Sequence, residues 1–253
     1  MTSMSKNSFQ IDSKKGLLVF ILCIVLFISS LLISSITASK VWMISFYTFY
    51  NINIIIPVGT SLFALTFLST DVISEVWGKS VAQLVVWFGF FSRVLMFVFF
   101  TFAIHVRPAP FWNNQKSYES VLGSSSIIII GGIIAYLISQ FNDVFVFHYL
   151  KGKDKGRNLW KRNNLSTFSS QFLDSFLFIS IAFGKQSTIG EIISMIFGQI
   201  LFKWIIAVLD TPFVYILSNI ACNKKAFDFR GEGKIVGLLV IIVLIFIVLG
   251  IVW

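Results

Sequence analysis

The chain has 253 residues, of which 57% are hydrophobic and 12% charged, and its mean hydropathy is +0.88. Soluble domains carry about 25% charged residues, so this composition excludes an ordinary soluble protein and predicts an integral membrane protein of the all-α class. The net charge of +9 does not indicate a nucleic-acid partner, because the basic residues cluster in short loops between apolar runs. The expected surroundings are therefore the lipid bilayer.

Apolar runs predict six membrane-spanning helices and a seventh near the C-terminus. In chain order they cover residues 17–38, 54–70, 81–104, 127–149, 166–183, 189–220 and 235–253. We expect residues 1–16 to form a tail, 17–222 a six-helix domain, and 223–253 a basic loop followed by the additional helix. The first run is longer than the apolar core of about 7–15 residues in a cleavable signal peptide, so we expect it to be retained.

The distribution of basic residues predicts the orientation of the chain. Of the 20 Lys and Arg residues, 14 fall in loops on one side of the predicted spans, 4 on the other, and 2 inside spans. Cytoplasmic loops are enriched in Lys and Arg, so we expect the N-terminus in the cytoplasm and the C-terminus outside.

Three features before, within and after the second run bear on a binding site. Residues 41–53 are rich in aromatic side chains and predict an interfacial belt or a partly inserted loop. Pro57 and Gly59 break helices, which is tolerated at membrane depth where the backbone lines a cavity. Asp71 and Glu75 follow the second run, four residues apart and hence on one face. They are compatible with a hydrated loop or with a ligand site.

A polar motif occurs twice within apolar runs. The copies are SQFNDVFVF at 139–147 and SQFLDSFLF at 170–178. Helical spacing places Gln140 with Asp143, and Gln171 with Asp174, on one face. An Asp near the bilayer centre costs roughly 2.5–3.5 kcal/mol on insertion scales, so these carboxylates need partners. Either the two stripes face each other and bind a small polar ligand, or they hydrogen-bond neighbouring helices together.

Three further charged residues lie inside predicted spans. Arg93 is in the middle of the third run and cannot lose its charge, so it must meet an acid, carbonyls or water, with Glu75 and the buried aspartates as candidates. Lys203 and Asp210 share one face of the sixth run with Gln199. We interpret Arg93, Lys203 and Asp210 as coupling or structural charges, and favour a static ion pair for Lys203.

A catalytic, metal or cofactor site is not indicated. Cys23 and Cys222 are far apart and have no C-x-x-C partner, and His105 and His148 both lie at span ends. The chain has neither an H-E-x-x-H motif nor a His inside a span to activate a serine, so we expect no enzyme. It also lacks a G-x-x-x-x-G-K-[ST] loop, so it has no ATP site of its own.

An ordered set of short motifs resembles a known family. The set comprises Pro57-Val-Gly, Leu65-Thr-Phe-Leu, Asp71-x-x-x-Glu75-x-x-Gly78-Lys79, Leu159-Trp160-x-Arg162-Asn163, Ser166-Thr167, Ser170-Gln171-x-x-Asp174, Ile181-Ala182-Phe183, Lys203 and Asp210-Thr211-Pro212-x-x-Tyr215. In this order it resembles the YhhQ-type queuosine precursor transporters over about residues 40–220.

The resemblance implies a bacterial inner-membrane protein with six helices, related in fold to the substrate-binding subunits of energy-coupling-factor transporters. Such proteins import 7-cyano-7-deazaguanine, 7-aminomethyl-7-deazaguanine or queuine for tRNA modification. The apolar run at 235–253 departs from that pattern as a seventh helix. An alternative is a substrate-binding subunit for a vitamin-like ligand or nucleobase, energised by a separate ATPase module. The sequence leaves open a homo-oligomer and such a module.

A deazaguanine base has needs that the polar residues can meet. It presents two adjacent donors beside a carbonyl acceptor, and one carboxylate can accept both donors while an amide both donates and accepts. The residues expected to bind it are Gln140, Asp143, Gln171, Asp174, Asp71 and Glu75.

Overall fold

The computed structural model describes residues 13–46, 52–123, 126–154, 157–185 and 187–226, and 228–229, 233–234, 236–238 and 241 near the C-terminus. Most of the tail and of the seventh helix that the sequence predicts lies outside the described residues. The described elements are α1 Lys14–Thr37, β1 Val41–Phe46, β2 Ile52–Pro57, α2 Thr60–Val76, α3 Lys79–His105, α4 Gln115–Leu122, α5 Ser126–Lys153, α6 Leu159–Phe183 and α7 Ile189–Ala221.

Within these residues, five helices are long and apolar enough to cross a membrane: α1, α3, α5, α6 and α7. Large apolar side chains cover the outer face of α3, where Phe91, Leu95, Phe99 and Phe102 are all exposed. Such a face suits contact with lipid rather than water. The multi-pass membrane architecture predicted from composition is thereby confirmed.

A two-stranded antiparallel hairpin adds β-structure to the expected all-α fold. β1 pairs with β2 in a register that sets Trp42 opposite Ile56 and Ile44 opposite Ile54. The prediction that a helix begins at Ile54 is therefore wrong, because Ile54 to Pro57 belong to β2. A short apolar run rich in β-branched residues suits a strand as well as a helix, and here the pairing with β1 decides.

Helix α2 is an interior element. It has 17 residues, 12 of them buried, and it packs between α1 and α7. Thr66, Ser69 and Thr70 donate their hydroxyl hydrogens to carbonyls one turn earlier, so these small polar side chains are satisfied within the helix. Asp71 and Glu75, expected just after a span, both lie inside α2.

The remaining helices differ from the predicted runs mainly at their ends. α6 begins at Leu159 rather than 166, and α5 continues to Lys153. α7 starts with a capping box, in which Thr188 and Glu191 exchange hydrogen bonds with each other's backbone N–H. It then passes through Pro212 without ending.

Close helix contacts bring polar groups into the bundle. α5 packs along α6, while α1 packs against α2. At Gly59 a Cβ would collide with the backbone carbonyl of Ser34, so only glycine permits this approach of α1 to the start of α2. Tyr136 fits against α3 because Gly89 has no side chain, and its hydroxyl donates to the Val86 carbonyl over 2.6 Å.

Candidate functional site

A cavity lies at the end of the bundle where α1 ends and α2 begins, which we call the cavity end. The space between its lining atoms, including open space at its mouth, is about 470 Å³. Its lining residues are Ser34, Ser35, Ala38, Pro57, Gly59, Thr60, Phe63, Arg93, Ile129, Gly132, Asp174, Phe178 and Gln199. Pro57 and Gly59, the helix breakers noted in the sequence, thus both face this cavity.

Arg93 is held against the cavity wall by α1 and α5. Its Nε and Nη2 atoms donate to the Ser35 hydroxyl oxygen over 3.0 and 2.8 Å, and Nη1 donates to the Gly132 carbonyl over 2.5 Å. Gly132 admits the guanidinium because a Cβ there would lie 2.9 Å from Nη2. Carbonyl and hydroxyl oxygens, rather than Glu75, therefore satisfy this buried cation.

Asp174 is the only residue of the predicted binding set that lines the cavity. Its Oδ2 atom forms an ion pair with Lys203 of α7, whose side chain is fully buried. The Lys203 ammonium also lies 5.0 Å from the centre of the Phe63 ring. Asp174 and Lys203 thus link α6 to α7 at the cavity wall, with an aromatic ring of α2 on the other side of the lysine.

Gln199 lines the cavity one helical turn before Lys203. Its side chain is 3% exposed, and its Oε1 atom has no hydrogen-bond partner in the described part of the chain. Buried amide oxygens are rarely left without a donor, so this atom is suited to meet a ligand. The sequence predicted that Gln199 shares a helix face with Lys203, but it did not assign Gln199 to the binding site. The signal that could have identified Gln199 was its spacing of four residues from a buried lysine.

The repeated motif connects α5 to α6 reciprocally. The Ser139 hydroxyl lies 3.3 Å from Asp174 Oδ1, and the Ser170 hydroxyl lies 3.4 Å from Asp143 Oδ1. Each serine therefore donates to the aspartate of the other copy. Asn142 adds a hydrogen bond to Ser170 over 3.2 Å. The serines hold the two helices together, while the aspartates face different parts of the interior.

A second acidic group lies deeper in the bundle. Asp71 and Asp143 are both buried there, and their carboxyl groups interact electrostatically. Thr167 donates to Asp71 Oδ2 over 3.3 Å. Asp71 Oδ1 and Asp143 Oδ2 have no donor among the described groups. Asp210 of α7 interacts electrostatically with Asp71.

The two glutamines of the motif are also buried outside the cavity lining. Gln140 donates to the Thr66 hydroxyl over 3.0 Å, leaving its Oε1 atom without a partner among the described residues. Gln171 is fully buried, and neither end of its amide has a partner there. The bundle interior between the helices is therefore polar below the cavity.

Glu75 belongs to an ion-pair network at the opposite end of the bundle. Its Oε2 atom is 2.7 Å from Arg162 Nη2 and 2.8 Å from Lys151 Nζ. Arg162 is fully buried and also lies 3.7 Å from Asp154. Glu75 lies fifteen positions after Thr60 at the cavity in α2, which corresponds to about 22 Å along a helix. The network connects α2, α5 and α6 on the far side from the cavity.

Comparison with known proteins identifies the family. The sequence profile of the family described as "Putative vitamin uptake transporter" matches residues 57–217. The chain belongs to this family. The matched range runs from Pro57 at the cavity through most of α7. Membership confirms that the protein is a membrane transporter and not an enzyme.

A curated relative of the chain is the protein of Bacillus subtilis (strain 168) named "Probable queuosine precursor transporter". It is 26% identical over 168 residues, which cover 66% of this chain and 73% of the relative. The resemblance to queuosine precursor transporters is thus confirmed. No solved structure matches the chain.

Proposed function

We propose that the protein is an inner-membrane importer of queuosine precursors, the 7-cyano and 7-aminomethyl forms of 7-deazaguanine or queuine, for tRNA modification. The observation that carries this proposal is the cavity, whose lining combines the Asp174 carboxylate, aromatic side chains and the Gln199 amide, whose oxygen has no partner among the described residues. Family membership and the name of the relative support a cargo of this class.

The cavity offers each group that a deazaguanine needs. Asp174 would accept the ring N–H and the exocyclic amine, because a carboxylate has about four acceptor positions and Ser139 and Lys203 take only two. Gln199 supplies a further acceptor. Phe178 lines the cavity and provides a face for stacking, which is worth roughly 1–3 kcal/mol per base in other base-binding proteins.

We propose that the structure corresponds to an outward-facing state. The cavity is at one end of the bundle, while the network of Glu75, Arg162 and Lys151 ties three helices together at the other end. With the N-terminus in the cytoplasm, the cavity end faces outward and the network faces the cytoplasm. Import by alternating access would then require these ion pairs to separate while the cavity closes.

Secondary transport also requires a coupling ion, and we assign it to the Asp71 and Asp143 carboxyl groups. Two carboxylates that share a buried site repel each other, so one of them is expected to hold a proton. Gln140 and Gln171, buried nearby on the motif helices, would contact the base during its passage. In the alternative, a separate ATPase module supplies the energy. Uptake of base against its gradient into liposomes that contain this protein alone would exclude a need for that module.

The central test is the queuosine content of tRNA in a bacterium that neither makes the precursors nor has its own importer, fed limiting base. We expect the wild type to restore queuosine and Asp174→Asn to fail at equal membrane levels. Glu119→Gln is the matched control, because Glu119 lies on the exposed helix α4 away from the cavity. If the wild type restores nothing with any of the three bases, the proposed function is wrong.

A further inference from the structure

The charges at the cavity do not cancel. Arg93 and Asp174 line it, and Lys203 reaches its wall through the ion pair with Asp174. Arg93 and Lys203 both interact electrostatically with Asp174 and with each other. Among the described lining residues, Arg93 and Asp174 are the ionisable ones. Two cations against one anion leave the site with a net charge of one positive unit.

The charge of the carboxylate that lines the cavity is already balanced. Asp174 pairs with the Lys203 ammonium and accepts from Ser139, and the Phe63 face is covered by the same ammonium at 5.0 Å. A second ammonium in this cavity would face Arg93 and Lys203, and no carboxylate besides Asp174 is among the described lining residues. Like charges in a site removed from water repel strongly, because the surroundings screen them poorly.

Arg93 is suited instead to a neutral acceptor. A guanidinium has five N–H donors, and the hydrogen bonds to Ser35 and Gly132 engage three of them. The remaining donors belong to a residue that lines the cavity. A nitrile nitrogen is a linear, uncharged acceptor of the kind that such donors bind.

We infer that this cavity distinguishes the queuosine precursors by charge, taking the neutral 7-cyano base and rejecting the 7-aminomethyl base and queuine. The inference rests on the proposed function and narrows its cargo. The amines of the two rejected bases are alkyl amines and, like the lysine side chain, are protonated at neutral pH. The deazaguanine ring and its donor edge are common to all three bases, so the 7-substituent alone decides.

The first experiment is competition for uptake of labelled 7-cyano-7-deazaguanine by cells that express the full chain and have no other importer. The competitors are unlabelled 7-cyano, 7-aminomethyl and 7-hydroxymethyl deazaguanine. The hydroxymethyl compound is the matched control, because it has almost the size of the aminomethyl compound but no charge. We expect the hydroxymethyl compound to inhibit uptake at a concentration at least about tenfold lower than the aminomethyl compound does.

A charge-changing variant pair tests the assignment to Arg93. Arg93→Gln removes the excess charge and retains a polar side chain, so the ratio of aminomethyl to hydroxymethyl competition should rise toward one. Arg93→Lys retains the charge and should keep the wild-type ratio, even if overall uptake falls. The ratio is compared within each variant at a measured membrane level, so a loss of folded protein does not imitate the effect.

The outcomes separate this inference from the function on which it rests. Equal competition by the hydroxymethyl and aminomethyl compounds, with uptake of the cyano base intact, would overturn charge selection and leave the importer proposal standing. Preferred uptake of the aminomethyl base would do the same. Absence of uptake of every base would overturn the proposed function itself. Persistence of the wild-type ratio in Arg93→Gln would show that Arg93 is not the discriminating charge.

Discussion

The Ser139 hydroxyl of α5 donates to the Asp174 carboxylate of α6 over 3.3 Å. The same relationship recurs with the helices exchanged, between Ser170 of α6 and Asp143 of α5 over 3.4 Å. The two interpretations of the repeated motif therefore apply to different residues within it. The serines join the helices, whereas Asp174 also lines the cavity and Asp143 interacts electrostatically with Asp71 below it.

The buried pair of Asp174 and Lys203 predicts a non-additive effect on stability. Asp174→Leu leaves the fully buried Lys203 ammonium without its carboxylate. We therefore expect the free energy of unfolding to fall by about 3–5 kcal/mol. The double variant Asp174→Leu/Lys203→Met removes both charges and should be clearly more stable than Asp174→Leu. Thermal unfolding of the purified proteins in detergent measures both. A double variant as unstable as the single one would contradict the pair's structural role.

Gln199 and Gln171 provide a matched pair for locating the base. Both are buried glutamines with an unpartnered amide oxygen among the described groups, but only Gln199 lines the cavity. We expect Gln199→Leu to raise the half-saturating concentration for uptake about tenfold, because the base loses a hydrogen bond in a buried site. Gln171→Leu should have a smaller effect. The reverse order would move the binding site from the cavity to the interior between α5 and α6.

The electrostatic interaction of the buried Asp71 and Asp143 carboxyl groups predicts proton-coupled uptake. Lowering the external pH of vesicles whose interior is kept neutral should accelerate uptake by the wild type. The inward proton gradient then favours protonation of the carboxyl groups from outside and release of the proton inside. Asp143→Asn retains the size of the side chain and can donate to Asp71, so the protein should fold. Its uptake should no longer respond to the gradient. Dependence on Na⁺ instead of protons in the wild type would contradict the assignment.

The proposed orientation predicts that the cavity is accessible from outside. Ala38 lines it and is partly exposed, so Ala38→Cys in a Cys23→Ala/Cys222→Ser background should react with a membrane-impermeant thiol reagent applied to whole cells. Saturating 7-cyano-7-deazaguanine should slow the reaction. Ala207→Cys, buried in α7, is the unreactive control. Labelling of Ala38→Cys only in inverted vesicles would reverse the orientation.

Sequence patterns located most of the helices but not the rotation of each helix about its axis. Long apolar runs predicted α1, α3, α5 and α7 closely, since length and hydropathy alone define them. The hairpin was missed because the run of Ile residues in β2 is compatible with both helix and strand. Of the six predicted binding residues, one lines the cavity, because spacing shows which residues share a face but not what that face meets.

The same limit explains why sequence spacing did not assign Gln199 to the site and why it grouped Glu75 with Asp71. Gln199 lay in a recognised polar stripe, yet its role depends on the position of α7 beside α2 and α6, which sequence spacing does not determine. Glu75 was grouped with Asp71 by their separation of four residues. In the structure Glu75 lies near the C-terminal end of α2, at the end of the bundle opposite the cavity. Arg162 and Lys151 neutralise its charge there.

Pro212 weakens α7 locally, between the segment that carries Gln199 and Lys203 and the segment that carries Tyr215. Proline has no N–H, so the carbonyl of Val208, four residues earlier, has no helical donor, and Asp210 lies within the same turn. The half of α7 that carries Gln199 and Lys203 is therefore joined to the half that carries Tyr215 by one backbone hydrogen bond fewer than in a regular helix, which lowers the resistance to bending at this turn. Bending of α7 at this turn would move the cavity wall at the level of Asp210 and the other buried acids. The protonation of these acids and the shape of the cavity would thus be coupled through one helix.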